Sequence, residues 1–108
     1  MPPRPNLTYP TALVLHALSM GQSYGFDIMD ATGLPSGTIY PLLRRLERIG
    51  CVEASWEDEG AAAGEGRPAR KYYRITAEGL ELLARARGRF AALEHGVRPG
   101  LHPHPVSP

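Results

Sequence analysis

The segment from residue 36 to 49, SGTIYPLLRRLERI, constrains the fold of this chain more than any other part of it. Its apolar residues recur with the ~3.6-residue period of an amphipathic α-helix, which must bury one face against other elements. Ser36 predicts the N-cap and Gly50 the end of this helix, and Pro41 costs little stability because it lies near the helix start. The apolar face consists of Ile39, Leu42, Leu43, Leu46 and Ile49. The fold therefore depends on which neighbouring helices or strands cover this face.

Two helices are predicted before this segment. Residues 8–20 contain an almost uninterrupted apolar run, which indicates a helix that is buried on most sides, with Thr8 as its cap. Residues 23–32 fit a shorter helix that has Ser23 as its N-cap and ends at Gly33. The third helix, over residues 36–49, is then the last of a helical trio.

A β-hairpin and a final helix are predicted after the trio. Residues 51–56 and 69–75 lack internal glycine and proline and read as strands, joined by a long acidic and glycine-rich loop over residues 57–68 that we expect to be flexible. Thr76 then predicts the cap of a last helix that extends to about residue 93.

This order of elements predicts a mainly α fold with a small β-hairpin (α+β), namely a winged helix-turn-helix with an additional C-terminal dimerisation helix. In that fold the third helix enters the DNA major groove and the hairpin, or wing, lies near the phosphates. The predicted organisation is a winged-helix DNA-binding domain over residues 1–76, a dimerisation helix over 77–95 and a disordered proline-rich tail over 96–108. At 108 residues the chain is too short for a doubly wound cofactor domain, a barrel enzyme or a kinase.

Charge is strongly segregated along the hairpin, although the formal net charge is only +1. The incoming side, residues 53–65, has five acidic residues and no basic one, whereas residues 67–74 have four basic residues and no acidic one. Such a basic segment is typical of a phosphate-binding surface. The alternative is that the two sides of the hairpin neutralise each other. The basic residues are Arg67, Arg70, Lys71 and Arg74.

The polar face of the third helix carries candidate DNA-reading side chains. Arg44 and Arg48 lie one turn apart, and arginine suits bidentate contacts with guanine edges or phosphates. The free N–H groups at the helix N-terminus favour an anion such as phosphate. An ordinary solvated arginine face is the alternative interpretation. The candidates on this helix are Ser36, Gly37, Thr38, Tyr40, Arg44, Arg45 and Arg48.

Three motifs together resemble the PadR-like transcriptional regulators, over roughly residues 7–93. They are the pair Tyr24–Gly25, the segment GTIYPLLRRLE from Gly37 to Glu47, and the segment GRPARKYYRITAEG from Gly66 to Gly79. The resemblance implies a homodimeric repressor or activator that binds an inverted-repeat operator in double-stranded DNA. Its DNA-contacting positions fall on Tyr24, Ser36, Thr38, Tyr40, Pro41 and Arg44, and in the wing on Gly66, Arg67, Pro68 and Lys71.

Two features depart from the family pattern. An insertion rich in alanine and glutamate, Glu59 to Glu65, lengthens the wing and leaves open where the wing meets DNA. The C-terminal region resembles the short subgroup with a single dimerisation helix, so the phenolic-acid sensing of long members is not carried over.

The last helix has an apolar side that predicts a homodimer. Its distal half is expected to project beyond the small domain, and a second copy would bury its apolar residues, with the first helix completing the interface. The alternative is that this helix folds back onto its own core. An apolar cavity at the interface would offer a site for a small hydrophobic or aromatic effector. The alternative is a tightly filled interface with no ligand. The predicted interface residues are Leu13, Leu15, Leu18, Leu82, Leu83, Ala86, Phe90 and Leu93.

Other functional classes find little support in the sequence. There is no Ser/His/Asp or Cys/His grouping, and the run GAAAGEG does not lie between a strand and a helix as a phosphate-binding loop would, so we expect no enzyme and no cofactor. The single Cys51 is interpreted as a small buried residue, and His102 and His104 make a poor metal site. Without a membrane span or signal peptide, a cytoplasmic protein is expected. The main rival function is a winged helix that binds protein rather than DNA.

Overall fold

The computed structural model describes residues 7–97 of the chain. Within that part, helices and a two-stranded antiparallel hairpin follow in the predicted order, which confirms the winged helix-turn-helix fold with a C-terminal helix. The elements are α1 (Tyr9–Ser19), α2 (Gly25–Thr32), α3 (Ser36–Arg48), β1 (Val52–Trp56), α4 (Glu59–Gly64), β2 (Lys71–Ile75) and α5 (Ala77–Arg89), followed by a 3₁₀ turn (Leu93–Gly96).

The predicted helix starts are right at two places and one residue off at two others. The Thr8 and Thr76 hydroxyls accept hydrogen bonds from the first turns of α1 and α5, as expected of N-caps. In α2 and α3, however, the caps are Tyr24 and Pro35, and neither makes a side-chain capping bond. Ser23 and Ser36 are therefore not N-caps. The chain before α2 is extended instead, because it pairs with the wing.

The wing is tied to α2 by backbone pairing. In the hairpin, Ser55 lies opposite Tyr72, and Tyr72 also forms a β-bridge with Tyr24 on its other side. The N–H of Tyr73 donates to the carbonyl of Ser23 at 2.7 Å. β2 thus pairs with β1 on one edge and forms an isolated bridge on the other edge to the residues that lead into α2, which links α2 to the wing.

The hairpin tip is ordered, contrary to the expected flexible loop. Residues Glu59–Gly64 form the short helix α4, and the Asp58 side chain accepts from the N–H of Gly60 at 3.0 Å as its N-cap. Gly66 then reverses the chain with a φ of +72°, a conformation that glycine adopts without strain. Three consecutive alanines explain the helix, since alanine has the highest helix propensity.

The apolar faces of α1, α3 and α5 meet in one core. Leu15, Ile39, Leu43 and Leu83 are fully buried there. α5 ends at Arg89, earlier than predicted, and the chain folds back so that Leu93 is only 1% exposed and Val97 is also buried. Residues 96–97 thus belong to the folded domain, while the remainder of the predicted tail, residues 98–108, lies outside the described part.

This packing corrects the expectation of a projecting dimerisation helix. The eight predicted interface residues are buried in their own chain, apart from the partly exposed Phe90, which makes an edge contact with Tyr9 at 5.4 Å between ring centroids. The cause is that the apolar side of α5 covers α1, so the fold-back alternative is the one observed. Whether these residues take part in an interface stays a prediction, but their apolar surface already has a partner.

The first turn of α5 passes so close to the chain before β1 that only glycine fits at position 79. A Cβ there would overlap the Cys51 carbonyl oxygen and lie 2.6 Å from Cγ1 of Ile75. We expect Gly79→Ala to lower the free energy of unfolding by about 1–3 kcal/mol in urea denaturation, because the packing strain outweighs the gain in helix propensity.

Gly37→Ala is the matched control, since Gly37 also lies in the first turn of a helix but a Cβ there has nothing within 4 Å. It should leave stability unchanged or raise it by up to about 1 kcal/mol. Equal stabilities of the two variants would contradict the close approach.

Candidate nucleic-acid interface

The exposed face of α3 presents a row of cations. Arg44, Arg45 and Arg48 are exposed, and within residues 7–97 none of the three forms a salt bridge. Their helix is held from behind by its buried leucines, so its backbone is fixed while the guanidinium groups remain available. Such groups can donate paired hydrogen bonds to a phosphate or a guanine edge.

The N-terminal half of α3 is positioned by α2. A Cβ on Gly25 would lie 2.7 Å from the Tyr40 hydroxyl, so the absence of a side chain on Gly25 lets the Tyr40 ring lie against α2. This contact gives a physical role to the Tyr-Gly pair that the sequence motif contains. Ser36, Gly37 and Pro41 are exposed around it, and Thr38 is half-buried.

The basic residues of the wing are mostly paired with acidic ones. Arg67 holds both carboxylate oxygens of Glu57, at 2.5 and 2.8 Å, and its Nε donates to Glu65 at 2.8 Å. Across the hairpin, Arg74 pairs with its register partner Glu53. Neutralisation across the hairpin, the alternative raised by the sequence, is therefore present at both of these arginines.

The two remaining wing cations lie beside aromatic rings. The Arg70 guanidinium is 4.9 Å from the centre of the Tyr24 ring. The Lys71 ammonium is 5.8 Å from the centre of the Trp56 ring and reaches Glu47 of α3 at 3.7 Å. Within the described residues Arg70 makes no salt bridge, so it is the wing cation with the least compensated charge.

A cleft of about 410 Å³ separates the wing from the starts of α2 and α3. It brings together Tyr24, Tyr40, Arg67, Arg70 and Lys71, five of the residues that the sequence predicts at DNA. The recognition helix and the basic limb of the hairpin therefore border one concave surface. The full lining is Tyr24, Gly25, Tyr40, Trp56, Arg67, Pro68, Ala69, Arg70, Lys71 and Tyr73.

Two aromatic residues at this surface were not predicted as site residues. For Trp56 the sequence left open packing against the third helix or the hairpin and a partly exposed base-stacking or ligand-contact role; at the end of β1 it is 68% exposed. Phe26 is exposed too and stacks on Tyr24 at 6.2 Å between ring centroids. In the sequence, only the position of Trp56 at the end of the predicted strand indicates that it is exposed.

Electrostatics strengthen the pairing inside the wing. The bonds from Arg67, helped by Arg70 and Tyr72, lower the pKa of Glu57 from 4.5 to about 2. The same pairing raises the pKa of Arg67. The contribution of the pair to stability is therefore complete above pH ~4.5 and is lost as the pH falls towards 2. The Glu57–Arg67 pair therefore stays charged throughout the neutral pH range.

The buried titratable residues fit structural roles. Burial raises the pKa of Tyr73, which faces the core, while its neighbour Tyr72 lies on the other face of the strand. Burial also raises the pKa of the Cys51 thiol, which agrees with its interpretation as a small apolar residue. His16 is buried within α1.

Residues 7–97 offer neither a metal-binding cluster nor a membrane-spanning helix. Within that range no three His, Cys, Asp or Glu side chains cluster in a way that would hold a metal ion. His102 and His104 lie outside it. The helices of the same range include none with the length and apolarity that crossing a bilayer requires.

Comparison with known proteins agrees with this geometry. Residues 14–85 match the model of the transcriptional regulator PadR-like family. The chain belongs to the PadR-like family. It is therefore a transcriptional regulator with a DNA-binding winged helix, and the family is not one of enzymes. None of the curated proteins compared matches the chain.

Solved structures share the fold. A PadR family regulator from Eggerthella lenta is 30% identical, with a TM-score of 0.59, and the match covers 82% of this chain and 80% of that one. A PadR family regulator from Clostridium difficile is 24% identical, with a TM-score of 0.66, covering 82% and 93%. The PcaV regulator from Streptomyces coelicolor, solved with its natural ligand, is 25% identical, with a TM-score of 0.67, covering 84% of this chain but 60% of PcaV.

Proposed function

We propose that this PadR-like protein binds an inverted-repeat operator as a homodimer and represses the adjacent gene. The observation that carries the proposal is the exposed row Arg44, Arg45 and Arg48 on α3, with no salt bridge among the described residues. Ordinary surface arginines gain from nearby acids, so a fixed row left unpaired favours an anionic partner. Seated in the operator, the dimer would compete with the transcription machinery for the same DNA.

The wing also favours DNA as the partner because it adjoins α3. Arg44 and Tyr40 lie near enough to Tyr73 to affect its pKa, and Lys71 reaches Glu47 on the same helix. Arg70 and Lys71 thus flank α3 across the cleft, as a wing does when it follows the phosphates beside the major groove. We therefore assign base contacts to α3 and phosphate contacts to Arg70 and Lys71.

The face of α5 turned away from the core is the surface we propose for the dimer. Leu80 is 51% exposed there, and Ala84 and Gly88 follow it at one-turn intervals and are exposed as well. This stripe would let two copies of α5 approach closely and bury Leu80. We therefore propose this exposed stripe as the main contact between subunits, in place of the buried side of α5 that the sequence predicted.

A small-molecule effector stays a separate hypothesis. PcaV was solved with its natural ligand, and a site between subunits would let a hydrophobic or aromatic compound change the distance between the two reading helices. Titration of aromatic compounds into the protein–operator complex tests this. A panel that leaves operator affinity unchanged would count against it.

Selection from random DNA fragments tests the DNA-binding proposal directly. We expect enrichment of an inverted repeat whose half-sites are centred about one helical turn, ~34 Å, apart. Binding should weaken steeply as salt increases, since each neutralised phosphate releases counterions. Enrichment of no sequence above background would favour the rival function, a winged helix that binds protein.

A further inference from the structure

We infer that Arg67 of the wing is a positioning residue that holds Arg70 in place, and that it does not itself contact DNA. The inference rests on the proposed DNA binding and departs from the assignment of the GRP arginine to the DNA interface. It concerns a network formed by Glu57, Glu65, Arg67, Arg70 and Tyr72, which we call the wing clamp.

Each nitrogen of the Arg67 guanidinium donates a hydrogen bond to a carboxylate within the wing. Nη1 and Nη2 donate to the two carboxylate oxygens of Glu57, and Nε donates to Glu65. Nη1 also lies 3.4 Å from the Pro68 carbonyl oxygen. The side chains of Arg67 and Glu57 are only 22% and 18% exposed, so this pair is shielded more than an ordinary surface ion pair.

The charge of Arg67 is more than balanced by its partners. Glu57 and Glu65 together carry two negative charges against its single positive one, so the group offers no net attraction to a phosphate. A phosphate would have to displace a bidentate carboxylate, which is among the strongest hydrogen-bonded arrangements open to arginine. Arg74 is similarly paired with Glu53, on the exposed outer face of the hairpin.

From Glu57 the clamp leads directly to Arg70. The N–H of Glu57 donates to the Arg70 carbonyl at 2.8 Å, and Oε2 of Glu57 accepts from the Tyr72 hydroxyl at 3.3 Å. Tyr72 is bridged to Tyr24, the residue whose ring lies under the Arg70 guanidinium. Arg67 thus closes the base of the wing insertion and holds the strand that presents Arg70.

Two single substitutions separate positioning from phosphate contact when operator affinity is measured as a function of salt concentration. Arg67→Gln should reduce affinity about three- to tenfold with no change in the slope of log K against log salt, because no phosphate contact is lost. Arg70→Gln should reduce both affinity and the slope, the latter by about one. Thermal melting checks that each variant is folded.

Substitution of Glu57 tests whether removing its negative charge raises or lowers operator affinity. Removing an acid beside DNA raises affinity if its effect is only electrostatic. We expect Glu57→Gln to lower operator affinity instead, because the clamp opens, while the matched control Glu53→Gln leaves affinity unchanged or slightly raised. The exchanged variant Glu57→Arg/Arg67→Glu should recover affinity only in part, since it restores an oppositely charged pair but loses the contacts to Glu65 and to the Tyr72 hydroxyl.

The inference is overturned if Arg67→Gln lowers the salt slope by about one, if it leaves affinity unchanged, or if Glu57→Gln binds more tightly than the wild type. Each of these results leaves the proposed function standing, because the wild-type protein still binds its operator. Failure of the wild type to select any operator would instead reject the proposed function itself.

Discussion

Replacing Arg44 and Arg48 together by alanine is expected to weaken specific operator binding by at least about 30-fold. Each side chain is free to make paired contacts from a rigid helix, and such a contact discriminates between bases by about 1–3 kcal/mol. If the two sites are additive, the double variant loses about 2–6 kcal/mol, a decrease in affinity of roughly 30-fold to more than 10⁴-fold. Fluorescence anisotropy with the selected operator at constant salt measures this change.

The control for this variant is Arg85→Ala/Arg89→Ala, which removes two exposed arginines from α5. It lowers the net charge equally but lies on another element, so operator affinity should change by less than about threefold. Comparing affinity for the operator with affinity for an unrelated DNA fragment shows which contacts depend on base sequence. If the α3 variant weakens operator and unrelated DNA equally, the two arginines contact phosphates alone, and the assignment of base reading to them is wrong.

The second large effect is expected from Leu80→Arg on the exposed stripe of α5. A charge at the centre of a close helix contact prevents burial, so the dimer should dissociate at micromolar concentration. The two half-sites would then be bound independently, and the loss of linkage should decrease operator affinity by about 10²- to 10⁴-fold. The added positive charge alone would raise affinity for DNA. A decrease in operator affinity would therefore report the loss of the dimer and not the change in charge.

Sedimentation and operator binding should be measured on the same samples. Arg85→Ala serves as the control on the polar flank of α5 and should remain dimeric. Leu80→Ala, which removes apolar area without adding charge, should weaken association by a smaller amount. A Leu80→Arg protein that sediments as a dimer would move the interface to another surface, and a wild-type monomer would reject the dimer altogether.

The fold was predictable because its local signals agree with one another. The stripe on α3, the hydroxyl cap at Thr76 and the left-handed glycine at Gly33 each require only a few neighbouring residues, and the structure has all three. The cap of α2 was predicted one residue early because β2 competes for the backbone before the helix. That competition joins residues almost fifty positions apart, which no local pattern contains.

The candidate site was only partly predictable for a similar reason. Periodicity placed Arg44 and Arg48 on the exposed side of α3, where the structure has them. It could not tell Arg67, which is held by Glu57, from Arg70, because both belong to the same basic run. Likewise, the apolar side of α5 was identified correctly, but its partner was the first helix of the same chain. Which surface an apolar stripe covers depends on where the chain turns, here at Phe90.

The backbone pairing between Tyr24 and Tyr72 has a consequence for how the protein tolerates differently spaced operators. Because the wing cannot move away from α2 without breaking this bridge, each subunit of the proposed dimer would contact DNA as one rigid unit. One extra base pair between half-sites turns one of them by about 35° around the duplex axis. In the proposed dimer only the contact between the two α5 helices would absorb that rotation, so its stiffness would set how much variation in operator spacing the protein tolerates.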